Sequence, residues 1–148
     1  RFAQVLTKLG SAAWIYPMQH VEYSLQHRRC YILRPVSKKG SLKDYMYRAT
    51  PLHDSKKKYS VVRTKPCKLE DLQRLGRQIL LGLQALAQNG VPYPQLSLTN
   101  VVFEDKHARL SDVENTLLGL ERPCCALDGE STPIEVLKFG MVLLQMAT

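Results

Sequence analysis

Two side chains in this chain of 148 residues carry oxygen donors of the kind that hold a hard divalent cation. Asn100 and Asp112 lie twelve residues apart, and amide and carboxylate oxygens suit Mg²⁺. A purely structural reading stands beside that one: Asn100 hydrogen-bonds the backbone of its own loop, and Asp112 caps a turn. Gln95, five residues before Asn100, can orient a hydroxyl through its carbonyl oxygen but cannot hold a proton near pH 7. Ser97 adds no charge. The four histidines and four cysteines are scattered without ligand spacing, which points to reduced thiols and to no metal-histidine site.

A second group of candidates is electrostatic. The formal net charge is +8, and it is made by one stretch. Residues 28–68 hold thirteen basic residues against Asp44 and Asp54, whereas residues 69–148 are mildly acidic. Lys56, Lys57, Lys58, Arg63 and Lys65 lack helical periodicity and read as an exposed loop within residues 48–68. They are either solvated surface or contacts for an acidic partner: an anionic membrane surface, where each cation contributes about 1 kcal/mol, or an acidic protein. No zinc-finger, helix-turn-helix or aromatic-interleaved RNA-binding pattern is present, so no nucleic-acid partner is expected. Ser55, Ser60 and Thr64 lie among these cations, where a phosphate would cancel much of the local charge.

The elements that must position these residues read as α+β. Residues 2–9 have helical spacing that stops at Gly10. Residues 15–23 and 30–36 are rich in β-branched and aromatic side chains and flank a polar turn, which predicts a hairpin. Ser41 is placed to cap a short helix running through Tyr47. Residues 69–88 place apolar side chains at 69, 72, 75, 79, 80, 83 and 86, the rhythm of one helix face, and Asn89-Gly90 supplies its C-cap. Val101–Phe103 and Ala108–Leu110 predict a tight hairpin, residues 121–133 a loop, and residues 135–147 a second, buried helix. No apolar run reaches the roughly 18–20 residues of a membrane-spanning helix. The chain begins at Arg1 and ends inside an apolar stretch, so it reads as a fragment cut at both ends.

Taken in order, these segments resemble a protein kinase. Its catalytic loop reads H-R-D-L-x-x-x-N; here the matching stretch is Tyr93-Pro94-Gln95-Leu96-Ser97-Leu98-Thr99-Asn100. Leu110-Ser111-Asp112-Val113-Glu114 aligns with the D-F-G segment. Cys30–Val36 resembles the strand entering the hinge, and Lys38-Lys39-Gly40-Ser41-Leu42 the opening of the next helix. Lys138-Phe139-Gly140 resembles the start of the buried helix of the large lobe. The run Glu114-Asn115-Thr116-Leu117-Leu118-Gly119-Leu120 is similar to one branch in particular, the kinase-like family of the slowpoke-binding protein and the PX-domain kinase-like protein.

That resemblance implies a kinase-like fold in part. Residues 1–36 would be the end of the small lobe, and residues 37–148 the hinge and the first part of a mainly helical large lobe. It implies Asn100 and Asp112 as the Mg-ATP ligands, ATP and Mg²⁺ being the cofactors at issue. It also marks the chemistry as degenerate. Gln95 stands where the loop carboxylate would be, a loss typically worth about 10²–10⁴ in rate. Ser97 replaces a lysine, and Val113-Glu114 replaces Phe-Gly. The expected function is a catalytically impaired module, cytoplasmic and at the inner face of the plasma membrane. Its implied partner is a membrane protein such as a calcium-activated potassium channel. The alternative is a weak or atypical ATP-dependent serine/threonine kinase.

Overall fold

A computed structural model describes residues 5, 8–51, 58–60, 66–120 and 133–148. Its longest element follows from the apolar stripe noted above. Helix α2, Leu69–Gln88, buries Leu75, Gly76, Gln78, Ile79, Gly82 and Leu86 along one face. Glu70 and Asp71 occupy its first turn, where carboxylates complement the positive end of the helix dipole. Gly90, at φ +66°, turns the chain out of the helix in the left-handed region that glycine enters without steric cost.

The buried face of α2 lies on a hairpin formed by β3, Val101–Glu104, and β4, His107–Leu110, paired antiparallel with Val101 opposite Leu110. Asp105 and Lys106 both have positive φ, the geometry of the two-residue turn that matches strand twist. Val101, Phe103, Ala108 and Leu110 point into the core, as a period of two requires. The buried Gln78 accepts a hydrogen bond from the Ala108 amide at 2.8 Å, which satisfies a ladder group that faces a helix.

Both outer edges of this hairpin are occupied. On one side Tyr16 donates its amide to the Leu110 carbonyl and Leu110 donates to the Trp14 carbonyl. On the other, Phe103 donates to the Gly40 carbonyl at 3.0 Å, and Ser41 bridges Val102. A second hairpin lies earlier in the chain, β1, His20–Ser24, against β2, Arg29–Leu33. Its first strand begins five residues later than the sequence predicts. Residues 14–16 pair with β4 instead, and Pro17, which lacks an amide donor, separates the two roles. β2 ends at Leu33, short of the expected Val36, because Pro35 follows and Arg34 turns inward.

Helix α1, Leu42–Tyr47, opens with a capping box: Ser41 accepts from the Asp44 amide, and the Asp44 carboxylate accepts from the Ser41 amide at 2.8 Å. Asp44 is buried and also receives Tyr59 Oη at 2.6 Å and Lys58 Nζ at 2.9 Å. The short helix α3 spans Glu114–Leu117, and α4 spans Ile134–Ala147. α4 is less buried than its composition predicts. Val142 and Met146 reach the core, while Val136, Met141 and Leu144 are exposed. The architecture is α+β: helices packed on small antiparallel sheets. No helix among the described residues is long and apolar enough to cross a membrane.

Two consequences are measurable. A Cβ on Gly82 would lie 2.9 Å from Leu110 Cδ1 and 3.2 Å from the Trp14 carbonyl. Gly82→Ala therefore overpacks the joint between α2 and β4 and lowers stability by about 1–3 kcal/mol in denaturant titration. Burial would by itself raise the Asp44 pKa. Hydrogen bonds from Tyr59, the Ser41 amide, Lys58 and the Ser41 hydroxyl outweigh it and hold the carboxyl below its ordinary value. A carboxyl with a depressed folded pKa stabilises above its unfolded pKa, and that stability drains as pH falls through the folded one. Asp44→Asn thus costs about 2 kcal/mol at neutral pH, and the deficit shrinks as melting is repeated at progressively more acid pH.

Candidate functional site

The loop after α2 and the segment after β4 meet at the open end of the β3–β4 hairpin. Tyr93 is buried, and its hydroxyl donates to the Ser111 carbonyl at 2.5 Å. Burial, then the charges of Asp112 and Glu114, push that hydroxyl far above its ordinary pKa, so it serves as a fixed neutral donor. The Ser111 amide and hydroxyl both donate to the Asn100 carbonyl, at 2.9 and 3.1 Å. These bonds fix where Asn100 and Asp112 stand before any ligand is considered.

Three of the sequence-derived candidates come together here. Gln95 Nε2 donates to the Asp112 carbonyl at 2.7 Å, and Asn100 Nδ2 donates to the Gln95 carbonyl at 3.1 Å. The amide of Gln95 is therefore held as a donor to backbone. Asn100 makes the contact with its own loop that the structural reading expects. Its other side-chain atom, Oδ1, accepts from Thr99 Oγ1 at 3.1 Å. Ser97 reaches this network only indirectly; its hydroxyl pairs with the same Thr99 Oγ1 on the exposed side of the loop at 2.8 Å.

Asp112 does not use its carboxylate to cap the following turn. Arg34 Nη1 lies 3.4 Å from Asp112 Oδ1, and Arg34 Nη2 is in ion-pair contact with Glu114 Oε2. The guanidinium is largely shielded and Glu114 is almost fully buried, while Asp112 remains partly open to solvent. Arg34 was absent from the sequence-derived set. It stands 78 residues from Asp112, and its signal was a single arginine closing the apolar run Tyr31-Ile32-Leu33 before Pro35.

The donor set decides whether Mg²⁺ fits. That ion demands near-octahedral oxygen ligands at about 2.0–2.1 Å and gives up its water reluctantly. Here Asn100 faces its own loop on both side-chain atoms, and the Asp112 carboxylate already faces a cation. A divalent ion on Asp112 would sit beside the Arg34 guanidinium, which is 3.4 Å from Asp112 Oδ1 and also meets the buried Glu114, and would be repelled by it. The donor set is a poor fit to Mg²⁺.

The basic candidates divide. Lys56, Lys57, Arg63 and Lys65 lie outside the described residues. Lys58 is turned inward, bonded to Asp44 and to the Pro51 carbonyl, because the buried Asp44 needs a cation that an exposed loop position would not supply. Lys58 is therefore a structural anchor, whereas sequence reading grouped it with contacts for a partner or lipid.

Removing one member of the Arg34 cluster isolates a buried charge. Arg34→Met costs about 3–5 kcal/mol, because truncating one partner of a buried pair is far worse than replacing both. Arg34→Met combined with Glu114→Leu recovers much of that loss, a coupling that a double-mutant cycle measures directly.

Comparison with known proteins supplies the lineage. No family model matches the chain. It is 40% identical over 90 residues to the PX domain-containing protein kinase-like protein of Mus musculus, an alignment covering 60% of this chain and 16% of that protein. It is 33% identical over 145 residues to the Slowpoke-binding protein of Drosophila melanogaster, covering 91% of this chain and 28% of that protein. It is also 33% identical over 135 residues to the "Probable inactive serine/threonine-protein kinase slob2" of Dictyostelium discoideum, covering 88% of this chain and 22% of that protein. The chain thus spans less than a third of the length of each of these relatives. The catalytic-loop remnant, the Asp112 segment and these identities agree: the chain belongs to the kinase-like family of the slowpoke-binding protein and the PX domain-containing protein kinase-like protein.

Proposed function

We propose that this chain is part of a catalytically impaired kinase-like domain that works by binding a protein partner. In this reading residues 1–36 end a small lobe, and residues 37–148 form the hinge and the first part of the large lobe. The observation that carries it is the Gln95 side chain, whose amide donates to the Asp112 carbonyl at 2.7 Å. The position that would need a proton acceptor holds a neutral group committed to backbone. Ser97, bonded to Thr99, offers no charge for a transferred phosphate.

The partner class comes from the relatives. One of them is named for binding Slowpoke, and the reading carried to this chain is a membrane partner such as a calcium-activated potassium channel. The cations of residues 48–68 outside the Asp44 anchor are the surface proposed to meet an acidic face of that partner or the anionic membrane beside it. Steering of this kind raises association rates and fades as salt increases.

The test uses the full-length protein. Incubated with labelled ATP and divalent metal, it transfers no phosphate to itself or to a general protein substrate. It binds the cytoplasmic domain of a calcium-activated potassium channel in a pull-down that weakens with rising salt. Phosphoryl transfer that disappears in Asp112→Ala would overturn the non-catalytic reading, and channel binding indifferent to charge reversal of Lys56 and Lys57 would remove the basic segment from the interface.

A further inference from the structure

The disagreement between the site and Mg²⁺ has a specific author, Arg34. Its guanidinium is supplied by the residue that follows β2, immediately before Pro35. It reaches the two acids of the segment after β4, Asp112 at 3.4 Å and Glu114 in ion-pair contact. Glu114 is almost fully buried, so its charge has to be met inside the protein. An arginine fork suits that task because it presents several donors in one plane and stays charged at every accessible pH.

We infer that the Arg34 guanidinium holds the place of the divalent cation, so that Asp112 is neutralised by the chain itself and the site takes no Mg²⁺. The inference rests on the kinase-like reading of the site and deepens it. Three observations converge. The Asp112 carboxylate faces Arg34. The Asn100 side chain is spent on the Gln95 carbonyl and Thr99. The Asp112 carbonyl is held by Gln95. A metal ion in a catalytic site comes and goes with its ligand. A covalently attached cation does not, so the contact between the end of β2 and the segment carrying α3 is permanent. The site becomes a structural clamp whose geometry is indifferent to metal.

The experiment follows melting of the full-length protein with and without millimolar Mg²⁺, and binding of Mn²⁺ by electron paramagnetic resonance. The wild-type protein is expected to melt at the same temperature in both conditions and to leave Mn²⁺ free. Arg34→Met exposes Asp112 and Glu114 to an external cation. It is expected to melt lower and to regain several degrees on addition of either ion, a gain abolished by adding Asp112→Asn. Should Arg34→Met fail to fold, Asp112→Ala decides the matter: it lowers melting equally with and without Mg²⁺ if Arg34 is the only cation at the site. A wild-type protein that gains several degrees with Mg²⁺, or binds Mn²⁺, and loses that property in Asp112→Ala would overturn the inference. So would a folded Arg34→Met variant blind to both ions. Metal binding without phosphoryl transfer would sink this inference alone, whereas transfer of phosphate to a substrate would sink the reading beneath it.

Discussion

The packing of α2 on the β3–β4 hairpin is the constraint on which the other described contacts depend. Gly82 lets the helix approach until Leu110 fills the space a side chain would take. Gln78 completes the contact by bonding the hairpin backbone. Leu110 is also the residue to which segment 14–16 pairs, and its neighbour Ser111 is held by Tyr93 and Asn100. One close approach therefore sets three things together: the height of the helix over the sheet, the edge that the N-terminal part of the chain can reach, and the position of Asp112. Interiors packed to crystal density tolerate little adjustment at such a point, so the polar network inherits its geometry from an apolar joint.

The polar site shows how retained residues change their work. Asn100 and Asp112 have the types that a metal site needs, yet each is engaged by the protein's own atoms. Gln95 is the pivot of that change. A carboxylate there would repel the Asp112 carbonyl, whereas an amide can donate to it. With Gln95 donating, the loop and the segment after β4 are joined by side chain to backbone. Arg34 then supplies the positive charge that two adjacent acids require. The charges are met by one another within the same chain, although Arg34 Nε, Arg34 Nη2 and Glu114 Oε2 are buried without a well-formed hydrogen bond. Its relatives' names point the same way, toward inactive and kinase-like proteins.

Much of the fold could be read from local pattern, because periodicity and capping are local signals. The α2 stripe, the Ser41 cap and the tight turn at Asp105-Lys106 each lie within a few residues of the features that announce them. Gln95, Asn100 and Asp112 were legible for a similar reason, since their spacing is preserved along the chain. What escaped was long-range. Residues 14–16 have β-type composition and do pair, but with β4 rather than within the first hairpin. Arg34 meets acids 78 or more residues away, and no periodicity connects them. Lys58 looked like one more surface lysine because its partner, Asp44, is recognisable as buried only once Ser41, Tyr59 and the core residue Leu42 are placed around it.

That inward turn of Lys58 and Tyr59 has a consequence for how the most basic stretch counts its charge. The Lys58 ammonium lies 2.9 Å from Asp44 Oδ1 and also meets the Pro51 carbonyl. Its charge is balanced inside the fold, with little of it left for mobile ions to screen. The effective surplus of the stretch is therefore smaller than a formal tally of its lysines and arginines gives, because Asp44 and Lys58 cancel as a pair before any outside group is met.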